Sequence, residues 1–410
     1  MKNKLQFIIK IFNSKAIIML DNVPQQILNV DHFPDDVSIL IGENGSGKST
    51  LLNNLSKHFL DKGKDVVALA NSIHDKFDSN HRRFKTLRGR SGRRQTRQTI
   101  KNALQSIAET DIQRLKNASR ALQYVGFDPV IGFRLEKLRF YDADVANSDL
   151  TEEAKEKIGF LLDKAIQESN TEDKIIWLEI EKSDINELAK SSLTELFLWE
   201  STLKDLKAIE RIEVFLRKNG TTISMLDASS GELVLITSIV YLSTIITEKT
   251  VILIDEPENS LHPKWQMDYA KILLDIFYLY QPKIIIATHS PLIINGAELF
   301  IESPKIYKAE KFNFELQSKE PLNMEEIYFR FFDITTPQNR FLSNRIVRLL
   351  NTLASEKISF NDFASAIYKI EKKSYDPKQI EVLKSIVAIG SEISTQSPGN
   401  SQNPDNTKFD

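Results

Sequence analysis

The sequence predicts an α/β protein built on a parallel sheet, and three observations carry that expectation. Three short runs, Val37–Ile41, Val251–Ile254 and Lys283–Ala287, are almost continuously apolar instead of alternating, the pattern of strands buried on both faces. The first passes straight into a glycine-rich turn and a helical stretch. The second and third are separated by a helical stretch over 264–280, the strand–helix–strand order of a parallel sheet.

The turn after the first strand reads Gly42-Glu-Asn-Gly-Ser-Gly-Lys-Ser-Thr50. Glycines at 42, 45 and 47 let the backbone fold tightly, with successive N–H groups pointing inward at an anion. Lys48 reaches the β- and γ-phosphates of a nucleotide and Ser49 offers a hydroxyl to Mg²⁺. The helix with Leu51, Leu52, Leu55 and Phe59 on one face directs its positive end at the same point. The candidate nucleotide-binding residues are therefore Asn44, Gly45, Ser46, Gly47, Lys48, Ser49 and Thr50, with ATP and Mg²⁺ as the expected ligands.

At 410 residues the chain is long enough for two or three structural units. Cysteine is absent, which excludes disulfides, thiol catalysis and cysteine-ligated metal sites and fits a reducing cytosol. No run of 18 apolar residues occurs and the N-terminus does not read as a signal peptide, so a cytoplasmic protein with no membrane partner is expected. The net charge of −2 is unevenly spread: residues 81–101 hold nine Lys or Arg and no acid, leaving about −11 on the rest.

Residues 4–12 and 15–20 are β-rich and predict an antiparallel hairpin ahead of the phosphate loop. Asp65–Ala70 is the next strand, ending in the polar stretch Asn71–Phe77. From 81 to 225 the pattern is mostly helical and charged, with stretches over 100–123 and 150–169 and strand-like interruptions such as Lys174–Glu179. This is an insertion into the nucleotide fold. Its basic run, 81–101, reads either as a solvated loop or as Arg contacts to a phosphate backbone.

Ser229-Ser-Gly-Glu232 opens an apolar helix with capping-box spacing, an ordinary helix start or an exposed N-terminus where Ser229 and Gly231 hold a γ-phosphate. Val251–Glu256 ends in two carboxylates, a costly place for acids without a task. Asp255 suits the Mg²⁺ shell and Glu256 suits activation of an attacking water. The last apolar strand ends at Thr288-His289-Ser290, where His289 is either structural or a partner of the γ-phosphate. A hairpin over Lys305–Glu315, helices near 339–354, 360–372 and 377–393, and a disordered tail over 394–410 complete the chain.

Gly42–Thr50, Ser229–Glu232, Asp255-Glu256 and His289, in that order around a long insert, resemble ATP-binding-cassette ATPases across roughly residues 1–300. Ala228-Ser-Ser-Gly-Glu232 departs from the family's usual Leu-Ser-Gly-Gly-Gln, which disfavours the transporter branch. Asp255-Glu-Pro-Glu-Asn-Ser-Leu-His-Pro263 followed by Ala287-Thr-His-Ser-Pro291 is more similar to the RecF, SMC and OLD-type branch. Within it, Val67–Phe77 and Ile334–Ser343 look similar to PtuA, the ATPase of Septu and Septu-like retron anti-phage systems.

The resemblance implies an ABC-type P-loop head with an antiparallel N-terminal β-subdomain, formed by 1–80 and 226–310, the insertion over 81–225 and a C-terminal helical region over 311–393. It also implies a head-to-tail homodimer or higher oligomer in which Ser229 and Gly231 of one subunit close over ATP on the Lys48 loop of the other. Glu256 and His289 would be catalytic, and Ser49 and Asp255 would hold the metal. All six histidines lie at or before 289 and no Asp-x-Asp pair follows 300, so neither an HNH nor a Toprim centre is expected in the C-terminal region. A separately encoded nuclease, of HNH type, is the expected partner, with a reverse transcriptase and its RNA/DNA product in a retron setting. A RecF-like repair ATPase acting directly on DNA through 81–101 is the alternative. A transporter subunit is a third reading.

Overall fold

The computed structural model describes residues 20, 23–30, 35–72, 76–88, 99, 101, 112–137, 148–168, 174–180, 192–225, 227–317, 324–335, 340–374 and 377–396. It divides into two compact units, 1–319 and 320–410. The expected hairpin over 4–12 and 15–20 lies outside the described residues apart from Leu20.

The described strands of the first unit are β1 Val37–Ile41, β2 Asp65–Ala70, β3 Phe84–Arg88, β4 Val130–Glu136, β5 Ile176–Glu179, β6 Arg211–Lys218, β7 Thr221–Ser224, β8 Thr250–Asp255, β9 Lys283–Thr288, β10 Lys305–Glu310 and β11 Asn313–Leu316. Its described helices are α1 Gln25–Leu28, α2 Lys48–Asp61, α3 Ile112–Val125, α4 Glu152–Glu168, α5 Ser192–Asp205, α6 Ser230–Ile245, α7 Pro263–Phe277 and α8 Pro291–Phe300. The α/β class holds: a seven-stranded sheet runs β11–β10–β1–β9–β8–β2–β3, parallel throughout except for the antiparallel edge strand β11.

Every residue of β1, β8 and β9 is buried, as their continuous apolar runs require. Helix α2 lays Leu51, Leu52, Leu55 and Phe59 into one cluster with Leu40, Val66, Ala68, Leu253, Ile285 and Ala287. By the strand pleat, Ile252, Ile254, Ile284 and Ile286 point to the opposite face and are equally buried. Helix α6 is apolar around most of its circumference, with Leu233, Leu235, Ile236, Ile239, Val240 and Leu242 buried.

The register matters most for the site. Ile41 pairs with Thr288, Ala287 with Asp255, and Asp255 with Ala70, so four parallel strands end at one level and deliver their next residues to one sheet edge. At the opposite edge Lys283 donates to buried Asp36 at 2.9 Å, and Lys305 approaches the same carboxylate at 3.2 Å. This pairing ties together the starts of β1, β9 and β10 away from the site. Removing one partner would leave a buried charge uncompensated.

Between β3 and α6 lies a second, four-stranded antiparallel sheet, β5–β4–β6–β7, accompanied by α3, α4 and α5. Gly132 is required there, because a Cβ would sit 2.7 Å from Ile175 Cγ2 and 2.9 Å from the Trp177 ring. A buried ion pair joins Lys101 to Glu200, which also accepts the Ile212 amide at 3.1 Å.

The second unit is helical, with α9 Met324–Phe331, α10 Arg340–Ala354, α11 Phe360–Glu371 and α12 Pro377–Gln396. Its core gathers Phe329, Leu342, Ile346, Leu353, Phe363, Ile367, Ile370 and Leu383. Helix α12 runs to Gln396, three residues into the stretch expected to be disordered. Among the described residues no helix is long and apolar enough to cross a membrane.

Candidate functional site

The turn between β1 and α2 has the conformation that its glycines allow. Gly45 and Gly47 adopt φ of 84° and 104°, and Gly47 caps α2. At Gly42 the constraint is space, since a Cβ would lie 2.3 Å from the Ala309 carbonyl oxygen at the end of β10. Lys48 Nζ donates to the carbonyls of Gly42 at 2.6 Å and Glu43 at 3.0 Å, which draws the ammonium back across the turn. Burial pushes its pKa down, opposed by the charges of Glu256, Asp255 and Glu258. Ser46 is buried, and its hydroxyl has no partner among the described residues. The Thr50 hydroxyl accepts from Lys76 Nζ at 2.6 Å.

Strand β8 brings its acids to the same edge. Ser49 Oγ donates to Asp255 Oδ1 at 3.0 Å, joining two residues 206 positions apart that the sequence assigns to one Mg²⁺. Asp255 is 1 % exposed and its Oδ2 has no partner among the described residues. Burial raises its pKa to about 6, with Glu256 and Glu258 pushing the same way and Ser49 and Lys48 opposing. One hydroxyl and one buried carboxylate with an open oxygen fit Mg²⁺, which takes few protein ligands and keeps waters and phosphate oxygens in its shell.

Glu256 follows with φ 52°, a left-handed conformation uncommon for any residue that carries a Cβ. It breaks the alternation of the strand, while its amide still donates to the Ala287 carbonyl at 2.9 Å. Asn259 Nδ2 donates to Glu256 Oε2 at 3.1 Å, and His289 Nδ1 lies 3.9 Å from Oε1. His289 is fixed through its backbone, whose N–H donates to Glu258 Oε1 at 2.7 Å, while its ring stays 42 % exposed. Lys48, Ser49, Asp255, Glu256 and His289 thus share one sheet edge. Glu258 and Asn259, which hold His289 and Glu256, were not singled out from the sequence, although both stand within three residues of Glu256.

Ser229 and Gly231 are engaged within their own subunit. Ser229 is the N-cap of α6: its hydroxyl accepts the Glu232 amide at 3.3 Å and its amide donates to the Glu232 carboxylate at 2.9 Å, completing the capping box. Lys218 Nζ donates to Glu232 at 2.8 Å. Burial raises the Glu232 pKa, but the bonds from Lys218 and Ser229 outweigh it and the net direction is down. Gly231 abuts the turn after β8, where a Cβ would stand 2.3 Å from the Ser260 carbonyl oxygen.

Within the basic run, Arg83 donates to the Gly63 carbonyl at 2.6 Å, Arg88 to that of Phe77 at 2.7 Å, and Lys101 pairs with Glu200. Arg90, Arg93, Arg94 and Arg97 lie outside the described residues.

Residues 96–295 match the family described as "AAA domain, putative AbiEii toxin, Type IV TA system". The matched span contains Asp255, Glu256 and His289 and begins after Lys48. The chain is similar to "Retron Vc95 probable ATPase" of Vibrio cholerae serotype O1 biovar El Tor, 29% identical over 182 residues, 40% of this chain and 33% of that protein. It is also similar to "Protein ea59" of Escherichia phage lambda, 36% identical over 70 residues, 17% of this chain and 13% of that protein. The chain therefore spans a third or less of the length of these curated relatives. The site and the matches together are those of an ATPase-type nucleotide domain.

Proposed function

We propose that this protein binds ATP on the Lys48 loop, hydrolyses it with Mg²⁺, and serves as the regulatory ATPase of a PtuA-like anti-phage defence complex that controls a separately encoded nuclease. The observation that carries the ATPase reading is the convergence of Ser49 on Asp255 at 3.0 Å beside Lys48, Glu256 and His289. Bound Mg²⁺ would neutralise charge on the β- and γ-phosphates. Lys48 releases its two carbonyls to bond phosphate oxygens, Glu256 accepts a proton from the attacking water, and Asn259 keeps the Glu256 carboxylate oriented. His289, with an exposed ring on a fixed backbone, bonds a γ-phosphate oxygen. The defence role rests on the similarity to the retron ATPase.

The proposed assembly is a head-to-tail dimer in which Ser229 and Gly231 at the α6 N-terminus face the γ-phosphate bound by the other subunit. Glu256→Gln trapped with Mg·ATP should dimerise by light scattering. Adding Ser229→Arg should leave it monomeric with ATP still bound; a dimer of unchanged affinity in that double variant refutes the composite site.

A further inference from the structure

The hairpin turn between β10 and β11 is fastened to the phosphate loop. The Phe312 amide donates to the Ser46 carbonyl at 3.0 Å, and the Ala309 carbonyl occupies the space that a Cβ on Gly42 would need. Lys311 and Phe312 both adopt left-handed backbone, φ 47° and 67°, which for a lysine and an aromatic costs energy and must be held by the surroundings. Phe312 is 50 % exposed, on a turn whose backbone is bonded to the phosphate loop. An exposed aromatic on a strained turn bonded to a ligand loop calls for an apolar, flat partner.

The sheet order says which part of the ligand lies there. The acids and the histidine of the site lie on one flank of β1: His289 follows β9, its neighbour, and Asp255 ends β8 beyond it, with Glu256 next in the chain. Strand β10 is the neighbour of β1 on the other flank, with Ile41 opposite Lys308. A nucleotide on this loop with its γ-phosphate toward β9 and β8 would have its ribose and base on the β10 side.

We infer that Phe312 is the stacking platform for the base of the bound nucleotide. This rests on the ATP reading and extends it: the phosphates are gripped by the Lys48 loop and the base by a turn more than 260 positions downstream that is bonded to that loop.

The test separates the two grips by comparing Mg·ATP with Mg·tripolyphosphate, which has the charge and no base, in calorimetric titrations of wild type, Phe312→Ala, Phe312→Trp and Lys48→Ala. Base–aromatic stacking predicts that Phe312→Ala weakens ATP by about tenfold or more and leaves tripolyphosphate unchanged. Phe312→Trp should retain ATP affinity, and unchanged tripolyphosphate binding certifies that the loop is intact. Equal losses for both ligands, or none for ATP, overturn the stacking role. If instead wild type binds neither ligand more tightly than Lys48→Ala, the ATP reading itself fails.

Discussion

Asp255 can be read as a group whose burial costs stability for the sake of the metal, and Asp255→Asn measures that cost. The carboxyl is 1 % exposed and its pKa rises from 3.8 to about 6 in the folded protein, chiefly through desolvation. A folded pKa above the unfolded one means that folding favours the protonated form. The associated stability is present below about pH 4, is lost as pH rises through about 6, and stays lost above it. A shift of about two units corresponds to about 3 kcal/mol.

Asparagine removes the charge, keeps the oxygen that accepts from Ser49, and leaves Lys48 with Glu256 and Glu258 as counter-charges. The variant without nucleotide or metal should therefore be more stable than wild type. Its advantage should grow by about 2 kcal/mol between about pH 4.5 and 7.5. Urea titrations of both proteins in EDTA across that range measure it. Mg·ATP should reverse the order, since the ligand stabilises only the protein that holds the metal. An advantage that does not change with pH, or a variant less stable throughout, refutes the reasoning.

Two further perturbations follow from contacts around the site. Gly231→Ala places a methyl against the Ser260 carbonyl and forces α6 away from the turn after β8, so it should lower stability by roughly 1–3 kcal/mol and reduce ATP turnover; wild-type denaturation midpoint and turnover would contradict this. Of the nine cations in the basic run, Arg83, Arg88 and Lys101 make internal contacts; the other six are Arg82, Lys85, Arg90, Arg93, Arg94 and Arg97. If these meet a nucleic-acid backbone, the log–log salt slope is no steeper than about −5, and replacing Arg90, Arg93, Arg94 and Arg97 with Ala should flatten it without loss of ATPase activity. An unchanged slope and affinity would make that stretch a surface loop.

The parallel sheet was legible because Val37–Ile41, Thr250–Asp255 and Lys283–Thr288 are buried on both faces and so are apolar along most of their length instead of alternating. The turn between β1 and α2 was legible because its signal is local: the glycines, Lys48 and Ser49 stand within eight residues. In β4 and β6, Arg134, Glu136, Glu213, Arg217 and Lys218 dilute the apolar signal. They are tolerated because they pair with one another and with Asp128 and Glu232 along the sheet. The Phe312 contact with Ser46 could not be read from spacing, because it exists only once β10 is laid beside β1. The positive φ of Glu256 likewise reflects its surroundings, since nothing in Asp-Glu-Pro requires it.

The central claim is that one sheet edge both binds ATP and activates water, and the most direct measurement pairs ATP affinity with phosphate release in wild type, Lys48→Ala and Glu256→Gln. Lys48→Ala removes the cation that faces the β- and γ-phosphates and should lose binding and turnover together. Glu256→Gln keeps the bond from Asn259 through its side-chain oxygen but cannot take a proton from water. It should bind Mg·ATP as wild type does while turnover falls by roughly two orders of magnitude or more. Wild-type turnover in Glu256→Gln, or undiminished ATP affinity in Lys48→Ala, would contradict the account.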